Sequence, residues 1–128
     1  MNIACVQFDM AWENKSANYA KATSLLRSAN VPRGSLVLLP EMFATGFSMN
    51  VAAIAEEQGG PTERFLAETA REFGVYLLAG VVSHGASGRG RNECVVFSPD
   101  GKLIARYCKC NRSSSAAKRR ATKRATAQ

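Results

Sequence analysis

Two residues, Glu41 and Lys109, have the surroundings best suited to chemistry. Glu41 follows Leu36-Val37-Leu38-Leu39-Pro40, an unbroken apolar run closed by a proline. Such a run reads as a strand buried on both faces, in the middle of an α/β sheet. Pro40 ends it, because proline has no N–H for a sheet ladder. A carboxylate at the carboxyl end of a buried strand stands where α/β folds place ligands. Met42, Phe43 and Phe47 neighbour it in sequence, and Gly46 lets the loop turn back. Burial among these groups is expected to raise the Glu41 pKa, which suits a general base near neutral pH. Phe43 and Phe47 either line a substrate pocket or pack the sheet.

Lys109 lies in Tyr107-Cys108-Lys109-Cys110. By itself this reads as an edge-strand lysine with a solvated tip. Strand side chains alternate faces, so Cys108 and Cys110 should both point away from it. Cys5 and Cys94 fall in strand-like runs, where a free cysteine is a small buried hydrophobe. None of the four cysteines is therefore expected to serve as a nucleophile. They show no disulfide framework and no C-x-x-C pair, which points to a reducing, cytoplasmic setting. Cys108, Cys110 and the single histidine, His84, do not make a zinc set, so no metal is expected. His84 reads as a loop residue, and Asn92 as a turn or strand-end hydrogen-bonding group.

The elements that must position these groups alternate between strand and helix. Ile3–Phe8 reads as a first strand. Asn14 can cap a helix reaching Ala29, with Tyr19, Ala22, Leu26 and Ala29 on one face. Pro32 and Gly34 separate it from the Leu36–Leu39 strand. Strand, helix, strand with these lengths is a βαβ crossover and implies parallel pairing. Val51–Gln58 reads as a short helix or ordered loop. Pro61 suits the first turn of a second helix, Glu63 favours its positive end, and Gly74 can close it. Val75–Val82 is a third strong strand, and residues 84–91, rich in glycine and arginine, read as a mobile loop. Cys94–Phe97 and Leu103–Lys109 flank Ser98-Pro99-Asp100-Gly101, a hairpin turn in which Pro99 presets φ and Gly101 admits φ > 0.

The chain has 128 residues and a net charge of +7. The charge is uneven: residues 111–128 hold six of the 17 basic groups and no acid, leaving 1–110 nearly neutral. That last segment has no large apolar residue, cannot offset the entropy of folding, and is expected to be disordered. Its basic run, Lys118-Arg119-Arg120 and Lys123-Arg124, suits nucleic acid in a weakly specific way. No apolar run approaches the roughly 18 residues that span a bilayer, and no signal peptide is evident.

Three stretches together carry a resemblance: Leu39-Pro40-Glu41-Met42-Phe43-x-x-Gly46-Phe47, the first strand and turn over Met1–Asn14, and the hairpin over Asn92–Lys109. They resemble the carbon–nitrogen hydrolase (nitrilase-like) superfamily, and within it the omega-amidase-like branch. The resemblance runs to about Cys110. It implies an α/β fold, an incomplete form of the family's α-β-β-α sandwich, over residues 1–110, with 111–128 as a basic tail. It implies a Glu–Lys–Cys triad in which Glu41 is the base and Lys109 stabilises the oxyanion, with Phe43 and Phe47 near the substrate. Asn92 matches an asparagine that the family has before this hairpin strand. The family's cysteine belongs to a later segment. After Lys109 the family continues with a histidine and two apolar residues, whereas this chain continues Cys110-Asn111-Arg112. The implied activity is cofactor-free hydrolysis of the terminal amide of small dicarboxylic monoamides, in a chain truncated before its nucleophile and inactive as it stands. An uncovered sheet face would then favour self-association. The alternative is a non-catalytic protein whose basic tail binds nucleic acid or a partner subunit.

Overall fold

The computed structural model describes residues 1–109. Cys110 and the basic segment 111–128, with the disorder and nucleic-acid contacts expected of it, lie outside the described residues.

Five strands form one sheet in the order β1-β2-β3-β4-β5. These are β1 (Ile3–Cys5), β2 (Leu36–Leu38), β3 (Tyr76–His84), β4 (Gly90–Phe97) and β5 (Leu103–Cys108). β1, β2 and β3 run parallel. β3, β4 and β5 are antiparallel. Helix α1 (Lys15–Ala29) makes the β1–β2 crossover, and α3 (Pro61–Phe73) lies between β2 and β3 in sequence. Both follow local signals. The Asn14 side chain accepts a hydrogen bond from the Ala17 N–H and caps α1. Pro61 opens α3, and Gly74 ends it with φ of 65°, its N–H donating to the Ala70 carbonyl. The short helix α2 (Val51–Ile54) interrupts the long segment after Glu41.

Both long helices pack on one sheet face. Ala22 and Leu26 of α1, and Leu66 and Ala70 of α3, meet Val37, Leu77, Ala79, Val95 and Phe97 in a single buried cluster. Period-two alternation sends the other residues of each strand to the opposite face. There Leu36, Leu38, Leu78 and Val96 are only half-buried, and Ile3 is 63% exposed. None of the described residues forms a second layer over them. The expectation that β2 is buried on both faces is therefore corrected. Its apolar run fits a strand made to be covered twice, but the described residues cover it once.

Two further expectations change. β3 continues through His84 and β4 begins at Gly90, so only Gly85–Arg89 of the expected loop lies outside the strands. His84 pairs with Gly90 in the ladder, and backbone pairing extends the hairpin regardless of side-chain polarity. Cys5 is exposed and Cys94 only half-buried, not core, because both lie on the face without helices. No helix among the described residues is long and apolar enough to cross a membrane.

Candidate active site

Glu41 begins the turn that follows β2. The Leu39 N–H bonds to the Leu78 carbonyl, 2.8 Å, which ties the end of β2 to β3 just before the turn. The turn then closes on itself. Met42 takes a positive φ of 52°, and its carbonyl accepts from the Thr45 and Gly46 N–H groups. Gly46 has φ of 72°, which glycine adopts without strain. Asn18, fully buried on α1, holds the turn from behind. Its amide donates to the carbonyls of Ala44 (2.7 Å) and Ala11 (2.8 Å), and its carbonyl accepts from the Ala11 N–H (2.7 Å).

Gly80 of β3 provides the seat for Glu41. A Cβ there would stand 2.9 Å from Glu41 Cα and 2.9 Å from Met42 N, closer than a side chain can approach backbone. Only glycine lets the turn lie this close to the sheet.

Lys109 reaches the same place from the far end of the chain. Its N–H bonds to the Asn92 carbonyl, 2.8 Å, extending the β4–β5 ladder one residue past β5. Alternation then puts Lys109 on the same face as Tyr107 and Asn92, the face opposite α1 and α3. The Lys109 Nζ donates to Glu41 Oε1 at 2.9 Å, and the Asn92 Nδ2 donates to the same oxygen at 2.5 Å. One carboxylate oxygen thus receives an ammonium and an amide, bonds stronger than neutral ones because charge assists them. The Glu41 and Lys109 side chains are 40% and 44% exposed. The burial expected of the Glu41 carboxylate is therefore incomplete among the described residues, although Leu39 and Leu78 stand beside it. Asn92 and Lys109 hydrogen-bond it there.

The pair lines a cleft of about 380 Å³, with Leu39, Leu78, Gly80 and Asn92 in its walls beside Cys94 and Tyr107. Phe43 is not among the lining residues. Its ring is fully buried under the sheet, against Tyr19 and Phe65, with centroids 6.3 and 6.1 Å away. Of its two expected roles the packing one describes its position here. Phe47 is 58% exposed and also lies outside the cleft lining. Cys94 does line it, but burial pushes its thiol up, away from the reactive thiolate. Cys108 pairs with Glu93 and so faces the helix side. No cluster of three or more His, Cys, Asp or Glu side chains suited to a metal occurs among the described residues.

Asn92, Gly80 and Asn18 are the site residues that sequence reading did not assign. Asn92 carried a signal, since it matched a family asparagine, but its contact with Glu41 spans 51 positions. Gly80 and Asn18 had no local signal. Their importance comes from what the fold brings against them.

Glu41 follows the carboxyl end of β2 and Lys109 that of β5, and they meet on the sheet face that the described residues leave without a second layer. The chain belongs to the carbon–nitrogen hydrolase family, whose family model matches residues 2–126. That span extends past Cys110, beyond the motifs that carry the resemblance. Among curated relatives, omega-amidase NIT2 of Homo sapiens is 35% identical over 96 residues, covering 74% of this chain and 35% of the relative. The 2-oxoglutaramate amidase of Bacillus subtilis is 28% identical over 110 residues, covering 85% of this chain and 42% of the relative. This chain thus spans less than half the length of either. Among solved structures, a CN-hydrolase superfamily protein from Xanthomonas campestris matches with a TM-score of 0.72 and 32% identity, over 85% of this chain and 40% of that one. A carbon–nitrogen hydrolase from Helicobacter pylori has the same fold, with a TM-score of 0.76 at 24% identity, over 87% of this chain and 40% of that one.

Proposed function

We propose that this chain supplies the base and the lysine of an omega-amidase-type site, which releases ammonia from small dicarboxylic monoamides. The observation that carries this reading is the 2.9 Å contact between Glu41 and Lys109, 68 positions apart in sequence. In this chemistry a cysteine thiol attacks the amide carbonyl and forms a thioester, which water then hydrolyses. Glu41 takes the thiol proton, since the thiolate is the effective nucleophile. Lys109 holds the carboxylate in place and faces the developing oxyanion. Asn92 fixes the carboxylate from the other side. The chemistry needs no cofactor.

The nucleophile is the part that residues 1–109 do not offer in suitable form. Cys94 alone among their cysteines lines the cleft, and its thiol is disfavoured as an anion. The 128-residue chain by itself is expected to be inactive on amides. The test is ammonia release from glutaramate or 2-oxoglutaramate, by the chain alone and by residues 1–109 joined to the remaining segment of an omega-amidase. The joined protein should turn over. Glu41→Gln should then lower kcat by about 10²–10⁴, the usual worth of a general base. Turnover by the chain alone that disappears in Cys94→Ala would show that Cys94 is the nucleophile. A joined, folded protein indifferent to Glu41→Gln would end the reading.

A further inference from the structure

Lys109 reaches Glu41 only because β5 pairs with β4 in one particular register, and the hairpin turn does not secure that register by itself. The β4–β5 ladder has an irregularity between Val96 and Phe97. It lies between the turn at Ser98–Gly101 and the functional end of the hairpin. There one extra residue of β5, Ile104, offsets the pairing by one, so the register at the functional end is not the one that the turn alone would set. A slip of one residue would move Tyr107 and Lys109 to the helix side of the sheet. The cleft side offers little resistance to a slip, since Ala105, Tyr107 and Lys109 are all exposed there.

The helix side does offer resistance, through three charged side chains that the proposed chemistry does not use. Arg106 Nη1 donates to Glu93 Oε1 at 3.0 Å, and Nη2 donates to Glu63 Oε1 at 2.5 Å. Glu93 also accepts from the Ser83 hydroxyl. The side chains of Glu93, Glu63 and Arg106 are 2%, 7% and 19% exposed. A single guanidinium thus ties β5 to β4 and to α3, while Ser83 ties β4 to β3. Glu93 directly follows Asn92, and Arg106 lies three positions before Lys109. The cluster sits on the back of the strands that carry the site.

We propose that Glu63, Glu93 and Arg106 are positioning residues, which lock β5 in the register that brings Lys109 and Asn92 to Glu41. In a slipped register Arg106 would turn to the cleft side and leave two buried carboxylates without a cationic partner, an arrangement with a large desolvation cost. The cluster acts mainly by penalising the wrong pairing. Its net contribution to stability is small, because desolvating three charges offsets much of their attraction. The function of the lock rests on the hydrolase reading, but the register itself can be measured without any turnover.

The experiment uses NMR on the full 128-residue chain. Lys109 N bonds to Asn92 O, so Glu93 and Cys108 form the adjacent non-hydrogen-bonded pair, with Cα atoms about 4.5 Å apart. Their Hα protons should give a strong cross-peak in the unaltered protein. In Glu63→Met/Glu93→Val/Arg106→Met the charges are replaced by apolar groups of comparable size. That variant should unfold at the same or a higher urea concentration, yet lose about half or more of the cross-peak between positions 93 and 108 and show a second set of β5 signals. A single set of signals in the native register would overturn the proposal. If the triple variant does not fold, Arg106→Lys decides. Its ammonium keeps the charge but cannot fork to both carboxylates, so two sets of β5 signals are expected there too. One native set in Arg106→Lys would equally overturn the lock. Turnover of the joined enzyme is scored separately. Its absence with the register lock demonstrated would count against the hydrolase reading alone.

Discussion

At the scale of single residues, the site depends as much on an absent side chain as on the charged ones. Gly80→Ala places a methyl group against the backbone of Glu41 and Met42, which cannot swing aside as a flexible side chain would. The turn must lift off the sheet. The expected result is a loss of about 1–3 kcal/mol in unfolding free energy, typical of an overpacked site, together with loss of the Lys109–Glu41 contact. Urea unfolding gives the first, and the NMR response of the Lys109 ammonium to Glu41→Gln, compared in the two backgrounds, gives the second. An unchanged response in Gly80→Ala would show that Glu41 does not need that seat. Glu41 and Lys109 themselves were legible in the sequence because each lies in a local pattern, Leu-Pro-Glu after an apolar run and Tyr-x-Lys after a hairpin. Gly80, Asn18 and the role of Asn92 were not. A glycine in a strand looks the same whether or not a turn packs on it, and an asparagine on a helix does not reveal which carbonyls it will meet. Phe43 shows the converse. Its proximity to Glu41 in sequence suggested the pocket, but the turn sends its ring into the core while Glu41 lines the cleft.

At the scale of elements, the helices were read closely and the strands less so. Helix ends are set by local chemistry, and Asn14, Pro61 and Gly74 act where the sequence placed them. Strand ends are set by partners. β3 and β4 extend each other beyond their apolar runs, which no single strand could disclose. One helix end did need a distant group. Gly60 has no side chain with which to cap α3, and Glu56 takes its place. Glu56 Oε1 accepts from the Thr62 N–H at 2.8 Å, while Oε2 accepts from the Thr62 hydroxyl at 2.7 Å and from Lys15 Nζ at 2.6 Å. Burial pushes the Glu56 carboxyl up, but the Lys15 and Thr62 hydrogen bonds and the Lys15 charge outweigh it and hold the group below its ordinary 4.5. A carboxyl depressed on folding stabilises the fold above its unfolded pKa, and that stabilisation is lost as pH falls through the folded value. Glu56→Gln should therefore cost about 1.5–3 kcal/mol near pH 7, the range for hydrogen bonds to a charged group. The difference between the two proteins should shrink steadily below pH 4.5. Urea unfolding of both across the acid range checks this, and a difference independent of pH would remove Glu56 ionisation as its source. The same cap fixes the segment between Glu41 and α3, because Lys15 also donates to the Ile54 carbonyl at 2.9 Å.

At the scale of the whole molecule, the two faces of one sheet make opposite predictions for neighbouring residues. Leu77 and Leu78 are adjacent in β3 and chemically identical. Leu77 is fully buried beneath the helices, whereas Leu78 lies on the open face, in a row with Leu38 and Val96. Leu77→Ala removes core contacts and leaves a cavity, and should cost about 2–5 kcal/mol. Leu78→Ser removes a half-covered group and should cost much less, within about 1 kcal/mol of the unaltered chain. The larger effect of Leu78→Ser should be on solution behaviour. If the apolar row, over which the described residues lay no second layer, acts as an association surface, the 128-residue chain should bind a hydrophobic dye and form concentration-dependent oligomers. Leu38→Ser/Leu78→Ser should reduce both while leaving the urea midpoint nearly unchanged. Joining the remaining segment of an omega-amidase should abolish dye binding in the unaltered chain, if that segment lays its own sheet over the row. Analytical ultracentrifugation with dye fluorescence would follow all three proteins. A dye-silent monomer of unaltered sequence would overturn the association surface.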